Sequence, residues 1–317
     1  MKTAVVTDGK YRASLAAVRA LGEAGFRVVV TQTRAEATVT PASFVSRFAA
    51  ETRWIPGSCR EADYGTRLRE LLEAYDHPVL FCTGADTLNL VSSRREELAR
   101  AADFLVAPQP VLDALNDKET VHRRAVELGL PVPREYDSMP DRFPVVIKPH
   151  CGEKAGLKAK DRYQIARDPG EYARQYAAMG RYDPSPIVQE KVEGPGEGVN
   201  LLLDQSSRLV CAFCHRRLRE YPVTGGPSTC CGSPFTALYA RVAQGETLSY
   251  TPEDYQVGVK MRYLFHDGAA TLGYLRQGDW RRALAGVADF FRTPEALYRK
   301  DDKGAYRAYL RNSLKGR

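Results

Sequence analysis

The sequence lacks long apolar runs. None of its 317 residues lies in a window of roughly 18 consecutive apolar residues, the length that a transmembrane helix needs. The first ten residues, MKTAVVTDGK, pass from one lysine into a short apolar strand and contain no signal-peptide core. We therefore expect a cytoplasmic protein without a membrane span. Internal repeats and low-complexity segments are also lacking, and a composition of 44% hydrophobic and 27% charged residues is typical of globular proteins.

Nucleic-acid-binding motifs are lacking as well, although the formal net charge is +7. Much of this excess lies in residues 299–317, which hold seven basic and two acidic side chains. We interpret this tail as a solvated amphipathic helix. The alternative is contact with an anionic surface or a nucleic acid, which no motif supports, so we expect no nucleic-acid partner.

An even cysteine count is lacking too. The count of seven cysteines is odd, and the chain is expected to be cytoplasmic. Both points argue against a disulfide framework and predict mostly free thiols. The segment Cys211-Ala-Phe-Cys214-His215 formally matches a c-type haem attachment sequence, and Cys230-Cys231 follows closely enough to suggest zinc. Residues 208–214 instead indicate a strand, in which positions three apart point to opposite faces. We therefore favour buried strand cysteines, with zinc and haem as alternatives.

The N-terminal region shows the alternation of a small parallel α/β domain. Strands are predicted at Ala4–Thr7, Phe26–Val30, Thr52–Ile55, Val79–Cys82 and Phe104–Val106, and apolar residues at helical spacing fill residues 11–25. The length of the chain predicts two domains, or three small ones, because single cores usually stop growing at about 250–300 residues. We place the end of the first near Pro110.

The end of the first strand carries Thr7-Asp8-Gly9, where open α/β sheets place ligands. No GxGxxG loop is present there. This absence disfavours dinucleotide binding and favours a plain tight turn.

The middle of the chain carries lysines at structurally distinctive points. Asn116-Asp-Lys-Glu119 indicates a capped helix start, which puts Lys118 in the first turn of a helix ending at Gly129. Residues 143–149 indicate a strand that ends with Lys148. The following loop, residues 151–160, contains two glycines and three lysines and is able to bring N–H and ammonium groups to phosphates. A plain polar surface loop is the alternative.

The next segment predicts further strands and then helices. Residues 186–194 form a predicted strand, and residues 199–204 pair with 209–214 in a predicted hairpin. Three arginines follow the hairpin within residues 215–220. From Pro234 onward we expect amphipathic helices and no further strand pair.

Taken in order, these segments resemble the ATP-grasp superfamily, of the carbamoyl-phosphate-synthase-like, carboxylate–amine ligase type. The resemblance covers residues 1 to about 233 and resumes at Pro234. It implies an α/β and α+β fold: a Rossmann-like parallel-sheet domain (1–110), an incomplete ATP-grasp nucleotide-binding domain (111–233) and a helical C-terminal region (234–317). The implied ligands are ATP, Mg²⁺ carried with it, and a small carboxylate held with the nucleotide between two subdomains. Homo-oligomerisation is left open.

The resemblance also implies roles for individual residues. Lys118 and Lys148 would contact phosphates, and a loop would close over them with Gly152, Lys154, Gly156 and Lys158. The hinge that reads the adenine edge would comprise Gln189, Glu190 and Val192, with Glu190 or Glu197 reaching the ribose. A γ-phosphate or an anionic substrate would face the three arginines Arg216, Arg217 and Arg219.

The sequence departs from the family where magnesium is normally held. ATP-grasp enzymes carry a strand with a glutamate and then a second glutamate followed by x-Asn-x-Arg, and no such segment follows Ser233. Glu220, Glu246 and Asp254 are the remaining carboxylates nearby, so the protein ligands of the metal are not identified. Two functions follow: an ATP-dependent carboxylate–amine ligase that forms an acyl phosphate, or a non-catalytic module that binds a nucleotide or an anionic partner.

Overall fold

A computed structural model describes residues 1–152, 157, 161–219, 235–249 and 258–315. The chain divides into two compact units. The first unit comprises Met1–Ala107 together with Glu197–Arg317, and the second unit comprises Pro108–Gly196. The three-part division drawn from the sequence stays a prediction.

The first unit is built on a parallel sheet of β1 (Thr3–Val6), β2 (Arg27–Thr33), β3 (Ala49–Ile55) and β4 (Val79–Phe81), in the order β3-β2-β1-β4. The helices that accompany it are α1 (Arg12–Glu23), α2 (Tyr64–Glu73), α3 (Ala85–Ser93) and α4 (Arg95–Leu98), with a short 3-10 helix at Ala42–Val45. β1 and β2 are valine-rich and buried on both faces, as expected for central parallel strands. The four predicted strands from Ala4 to Cys82 are confirmed.

The fifth predicted strand, Phe104–Val106, is wrong. Only Asp103 forms an isolated parallel bridge, with Val79. Two side chains, one of them 134 residues away in the sequence, form hydrogen bonds with the backbone groups that strand pairing would have used. The Leu105 N–H donates to the Tyr239 hydroxyl over 2.8 Å, and the Val106 carbonyl accepts a hydrogen bond from the Arg95 guanidinium.

The second unit has an antiparallel sheet with helices. Its helices and strands, in chain order, are α5 (Gln109–Asn116), α6 (Lys118–Glu127), β5 (Val145–Lys148), β6 (Gln164–Ala166), α7 (Pro169–Met179) and β7 (Ile187–Glu190). The strand order is β6-β5-β7, with β5 antiparallel to both neighbours. Its small core contains Val145, Ile147, Ala166, Met179 and Val188. The predicted strand that ends at Lys148 is confirmed.

The described residues of the first unit from Glu197 onward form a hairpin and helices: β8 (Glu197–Leu203), β9 (Leu209–Arg216), α8 (Phe235–Ala243), α9 (Leu264–Arg276), α10 (Trp280–Arg292) and α11 (Lys303–Lys315). The hairpin and α8 add Leu202, Val210 and Tyr239 to the apolar core around β1 and β2. Within the described residues the predicted hairpin and the helical C-terminal region are confirmed. No helix in the described part of the chain has the length and apolarity that crossing a membrane requires.

The prediction of buried strand cysteines is correct only in part. Cys211 and Cys214 both lie in β9, as expected, and Cys211 packs against the core of the first unit. Cys214 is exposed, because an odd spacing along a strand turns it to the other face. Cys230 and Cys231 lie outside the described residues. Among the residues that are described, no group of three or more His, Cys, Asp or Glu side chains is arranged to hold a metal ion.

Candidate functional site

Lys118 is the first residue of α6, and the cap of that helix fixes its position. The cap is Asp117, not Asn116 as predicted, because α5 extends through Asn116. The Asp117 carboxylate accepts hydrogen bonds from the Glu119 N–H (3.1 Å) and the Thr120 hydroxyl (2.9 Å). This N-cap pattern satisfies donors that the first helical turn leaves free. Lys118 is therefore placed in the first turn, as the sequence predicted.

The Lys118 side chain ties the start of α6 to the end of β5. Its ammonium group donates to the Pro149 and His150 carbonyl oxygens, each over 3.0 Å. The Lys118 N–H also donates to the His150 carbonyl over 3.1 Å. The lysine thus sits beside the chain that leaves Lys148.

Lys148 ends β5 on the face opposite to the core. Burial alternates along this strand, with Val145 and Ile147 fully buried and Val146 and Lys148 partly exposed. Burial lowers the pKa of Lys148, and the nearby charge of Lys118 lowers it further, while Glu135 acts in the opposite direction. Burial likewise lowers the pKa of Lys118. Among the described residues, no hydrogen bond or ion pair holds the Lys148 ammonium group.

His150 is a part of the site that the sequence analysis missed. Its N–H donates to an Asp183 oxygen over 2.9 Å, and its Nδ1 lies 3.2 Å from the same oxygen. Its Nε2 lies 3.0 Å from Glu119. Burial alone would raise the pKa of Asp183, but these contacts with His150 hold it below its ordinary value. The network fixes the backbone just after Lys148. Only the position of His150, two residues after Lys148, offered a signal in the sequence.

The predicted hinge follows β7. The Gln189 side chain is buried and donates to Glu135 over 2.6 Å. The Glu190 N–H donates to the Arg134 carbonyl and the Lys191 N–H to the Pro144 carbonyl. These two backbone donors are therefore paired within the second unit, whereas the side chain of Val192 is exposed.

The predicted phosphate loop is described only at its start. A Cβ atom added to Gly152 would lie 3.8 Å from the Lys118 ammonium nitrogen, so Gly152 runs close to that charge. Lys154, Gly156 and Lys158 lie outside the described residues. The structure therefore brings together Lys118, Lys148 and Gly152 within the second unit, which also contains Gln189, Glu190 and Val192.

The other predicted site residues belong to the first unit. Glu197 and Arg216 form an exposed ion pair across the β8–β9 hairpin, with Arg216 Nε 2.7 Å from the carboxylate. Arg219 is buried against two carboxylates: Nη2 donates to Asp267 over 3.1 Å and Nη1 to Asp289 over 2.8 Å. Burial alone would lower the pKa of Arg219, but these carboxylates raise it. The charge of Arg219 is thus compensated within the C-terminal helices.

Glu220, Glu246 and Asp254 are the carboxylates that the sequence offers for a metal. Oxygen ligands from one or two carboxylates usually hold this ion next to nucleotide phosphates. Glu246 forms an exposed ion pair with Arg241 (2.7 Å), and Glu220 and Asp254 lie outside the described residues. The described residues do not form a magnesium site, so we derive no chemical step through the metal.

Comparisons with known proteins give a likeness of fold. No protein-family model matches the sequence, and no curated protein matches it. The biotin carboxylase–β,γ-ATP complex from Campylobacter jejuni matches with a TM-score of 0.53 and 13% identity, over 77% of this chain and 60% of that one. The chain therefore spans only about 60% of that protein's length.

Two further solved structures match less well. An L-amino acid ligase from Bacillus licheniformis has a TM-score of 0.44 and 15% identity, covering 67% of this chain and 50% of that one. A phosphoribosylglycinamide synthetase from Anaerococcus prevotii has a TM-score of 0.44 and 13% identity, covering 68% and 52%. The likeness of fold therefore rests on the biotin carboxylase, whose TM-score is 0.53.

Proposed function

We propose that the second unit binds the phosphates of a nucleoside triphosphate, with ATP as the ligand that the resemblance to ATP-grasp enzymes indicates; the likeness of fold to biotin carboxylase supports this proposal. Lys118 and Lys148 contact the phosphates in this proposal. The backbone near Val192 reads the base. The proposal also includes contacts with the phosphates from the glycine loop, through Lys154, Gly156 and Lys158. The carboxylate of Glu190 is the proposed contact of the ribose.

One observation carries this proposal: two neighbouring lysines are partly buried, and the charge of Lys118 adds to burial in lowering the pKa of Lys148. Bringing two ammonium groups together in a partly desolvated site is unfavourable unless an anion joins them. Lys148 has no partner of its own among the described residues. A phosphate group supplies the missing negative charge and accepts charge-assisted hydrogen bonds. The site is therefore suited to a polyanion.

The reaction that would follow nucleotide binding is a separate and more specific proposal. By the resemblance, the reaction class is ATP-dependent carboxylate–amine ligation through an acyl phosphate, with Arg216 and Arg217 facing the anionic substrate or the γ-phosphate. Phosphoryl transfer depends on metal ions that neutralise the developing charge, and the described residues provide no carboxylate set for them. We therefore propose nucleotide binding as the primary function, and a non-catalytic binding module as the alternative to the ligase.

Calorimetric titration with a non-hydrolysable ATP analogue tests the binding proposal. Lys148→Met should weaken binding about 10- to 100-fold, because a charge-assisted phosphate contact contributes about 1.5–3 kcal/mol. Lys118→Met should weaken it less, since its ammonium group already contacts two carbonyl oxygens. The matched control is Arg124→Met, which removes an exposed charge from the same helix as Lys118. Equal affinities of the Lys148 variant and the control would refute the phosphate role.

Phosphate release separates the two functions. The full chain is incubated with magnesium-ATP and a panel of amino acids and other carboxylic acids, beside its Lys148→Met variant. Turnover that depends on an added acid and is lost in the variant supports the ligase. Binding without turnover supports the non-catalytic module.

A further inference from the structure

A cavity with both polar and apolar lining residues lies in the first unit, away from every residue assigned above. It has a volume of about 220 Å³, is open to solvent on one side, and is lined by the start of α1, the 3-10 helix and α11. It adjoins the turn after β1. The Lys10 N–H donates to the Gln32 side chain over 2.9 Å, which fixes the backbone at its entrance.

The charges that line the cavity are all of one sign. Lys10 and Arg12 contribute two cations, and none of the nine described residues around the cavity is acidic. The Arg12 guanidinium lies 4.3 Å from the ring centroid of Tyr263, and its Nη1 lies 3.3 Å from His266 Nδ1. These contacts orient the arginine at the cavity wall.

Two further features favour an anion. Tyr11, the residue that caps α1, makes no side-chain cap hydrogen bond, so the positive end of this 12-residue helix is not closed by its own cap. The Tyr309 hydroxyl is buried and makes no hydrogen bond of acceptable geometry, although Arg12 and Ser313 lie next to it. Burial raises the pKa of Tyr309, so the hydroxyl remains a donor at neutral pH.

The volume of the cavity limits the ligand to a small molecule. Its volume is below the roughly 300–1,000 Å³ that is typical of pockets for drug-sized ligands. Leu15 and Leu297, which are almost fully buried, form an apolar side. Asn312 on α11 adds an amide at the polar side.

We propose that this cavity binds a small organic anion. Its carboxylate or phosphate group lies between Lys10 and Arg12 and accepts a hydrogen bond from Tyr309. Its short aliphatic part lies against Leu15 and Leu297. The proposal depends only on residues of the first unit and does not depend on the nucleotide site.

Calorimetric titration of the full chain tests it with three probes of matched size in Tris chloride: butyrate, propyl phosphate and the neutral butyramide. We expect at least one of the two anions to bind and butyramide not to bind, and the anion that binds tighter identifies the head group. Lys10→Gln should weaken binding about 3- to 10-fold, because it removes one charge-assisted contact. Tyr309→Phe should also weaken binding, because it removes only the hydroxyl. Arg311→Gln, an exposed charge on α11, is the matched control and should bind as the unmodified chain does.

Three results would overturn the proposal. The first is that neither anion binds up to its solubility limit. The second is that butyramide binds as tightly as the anions, which would remove the role of charge. The third is an unchanged affinity in both Lys10→Gln and Tyr309→Phe. Lys10 is exposed, so its variant keeps the test valid even where a change at Arg12 disturbs the packing on Tyr263.

Discussion

Replacing Asp302 by alanine should destabilise the first unit by about 3–5 kcal/mol, the loss expected when one partner of a buried ion pair is removed. The Asp302 carboxylate accepts hydrogen bonds from Arg19 Nε (2.8 Å), the Ser46 hydroxyl (2.7 Å) and the Arg47 N–H (3.0 Å). The side chains of Arg19 and Asp302 are only 6% and 1% exposed. Without the Asp302 carboxylate, the Arg19 charge remains buried with two carbonyl partners, those of Leu297 (2.9 Å) and of residue 302 itself (3.5 Å).

The neighbouring residue provides a matched control. Asp301 carries the same charge but is exposed and pairs with Arg299 at the surface. Exposed ion pairs contribute little to stability, so Asp301→Ala should have a much smaller effect than Asp302→Ala.

Urea unfolding followed by tryptophan fluorescence measures both variants. Trp54 and Trp280 are the two tryptophans of the chain, and both lie in the first unit, so the signal reports on that unit. Equal losses of stability in the two variants, or a loss below about 1 kcal/mol for Asp302→Ala, would refute the assignment of a buried ion pair.

Three further predictions concern charge and packing. Arg219→Met should destabilise the first unit by about 3–5 kcal/mol in the same urea assay, because Asp267 and Asp289 lose their buried partner, whereas the exposed Arg216→Met should have little effect. Affinity for an ATP analogue should fall as the pH rises, and the fall should begin below the pH at which lysines of ordinary pKa lose their protons, because the pKa values of Lys118 and Lys148 are lowered. The Lys148→Arg variant keeps its charge and should retain more affinity at high pH. Identical pH profiles of the variant and the unmodified chain would contradict this prediction. Replacing Cys211 and Cys214 together by alanine should leave nucleotide affinity unchanged, and stoichiometric zinc that is lost on this replacement would overturn the interpretation of these residues as packing and surface cysteines.

The parallel sheet could be predicted from the sequence because short valine-rich runs alternate with amphipathic segments. The fifth strand could not be judged in this way. Its backbone partners are the side chains of Tyr239 and Arg95, and the first of these lies 134 residues away from Leu105. Local pattern carries no information about such contacts.

The site could be predicted only where local rules place a residue. Lys118 follows from a helix cap and Lys148 from the end of a strand. The sequence predicts the cap one residue early, because Asn116 and Asp117 are both good cap residues and the end of α5 at Asn116 gives no clear signal. The hydrogen bonds between His150 and Asp183 join residues that are 33 positions apart, and the partners of Arg219 are 48 and 70 positions away. These are tertiary contacts, which spacing alone does not reveal.

The most direct test of the nucleotide site is competitive acylation of lysines, read by mass spectrometry with and without saturating magnesium-ATP. A lysine with a lowered pKa reacts faster near neutral pH because more of it is unprotonated. We predict that the nucleotide slows acylation of Lys148 strongly and of Lys118 measurably, and leaves the exposed Lys2 of the first unit unchanged. Acylation of Lys148 at the same rate with and without saturating nucleotide would contradict the central claim.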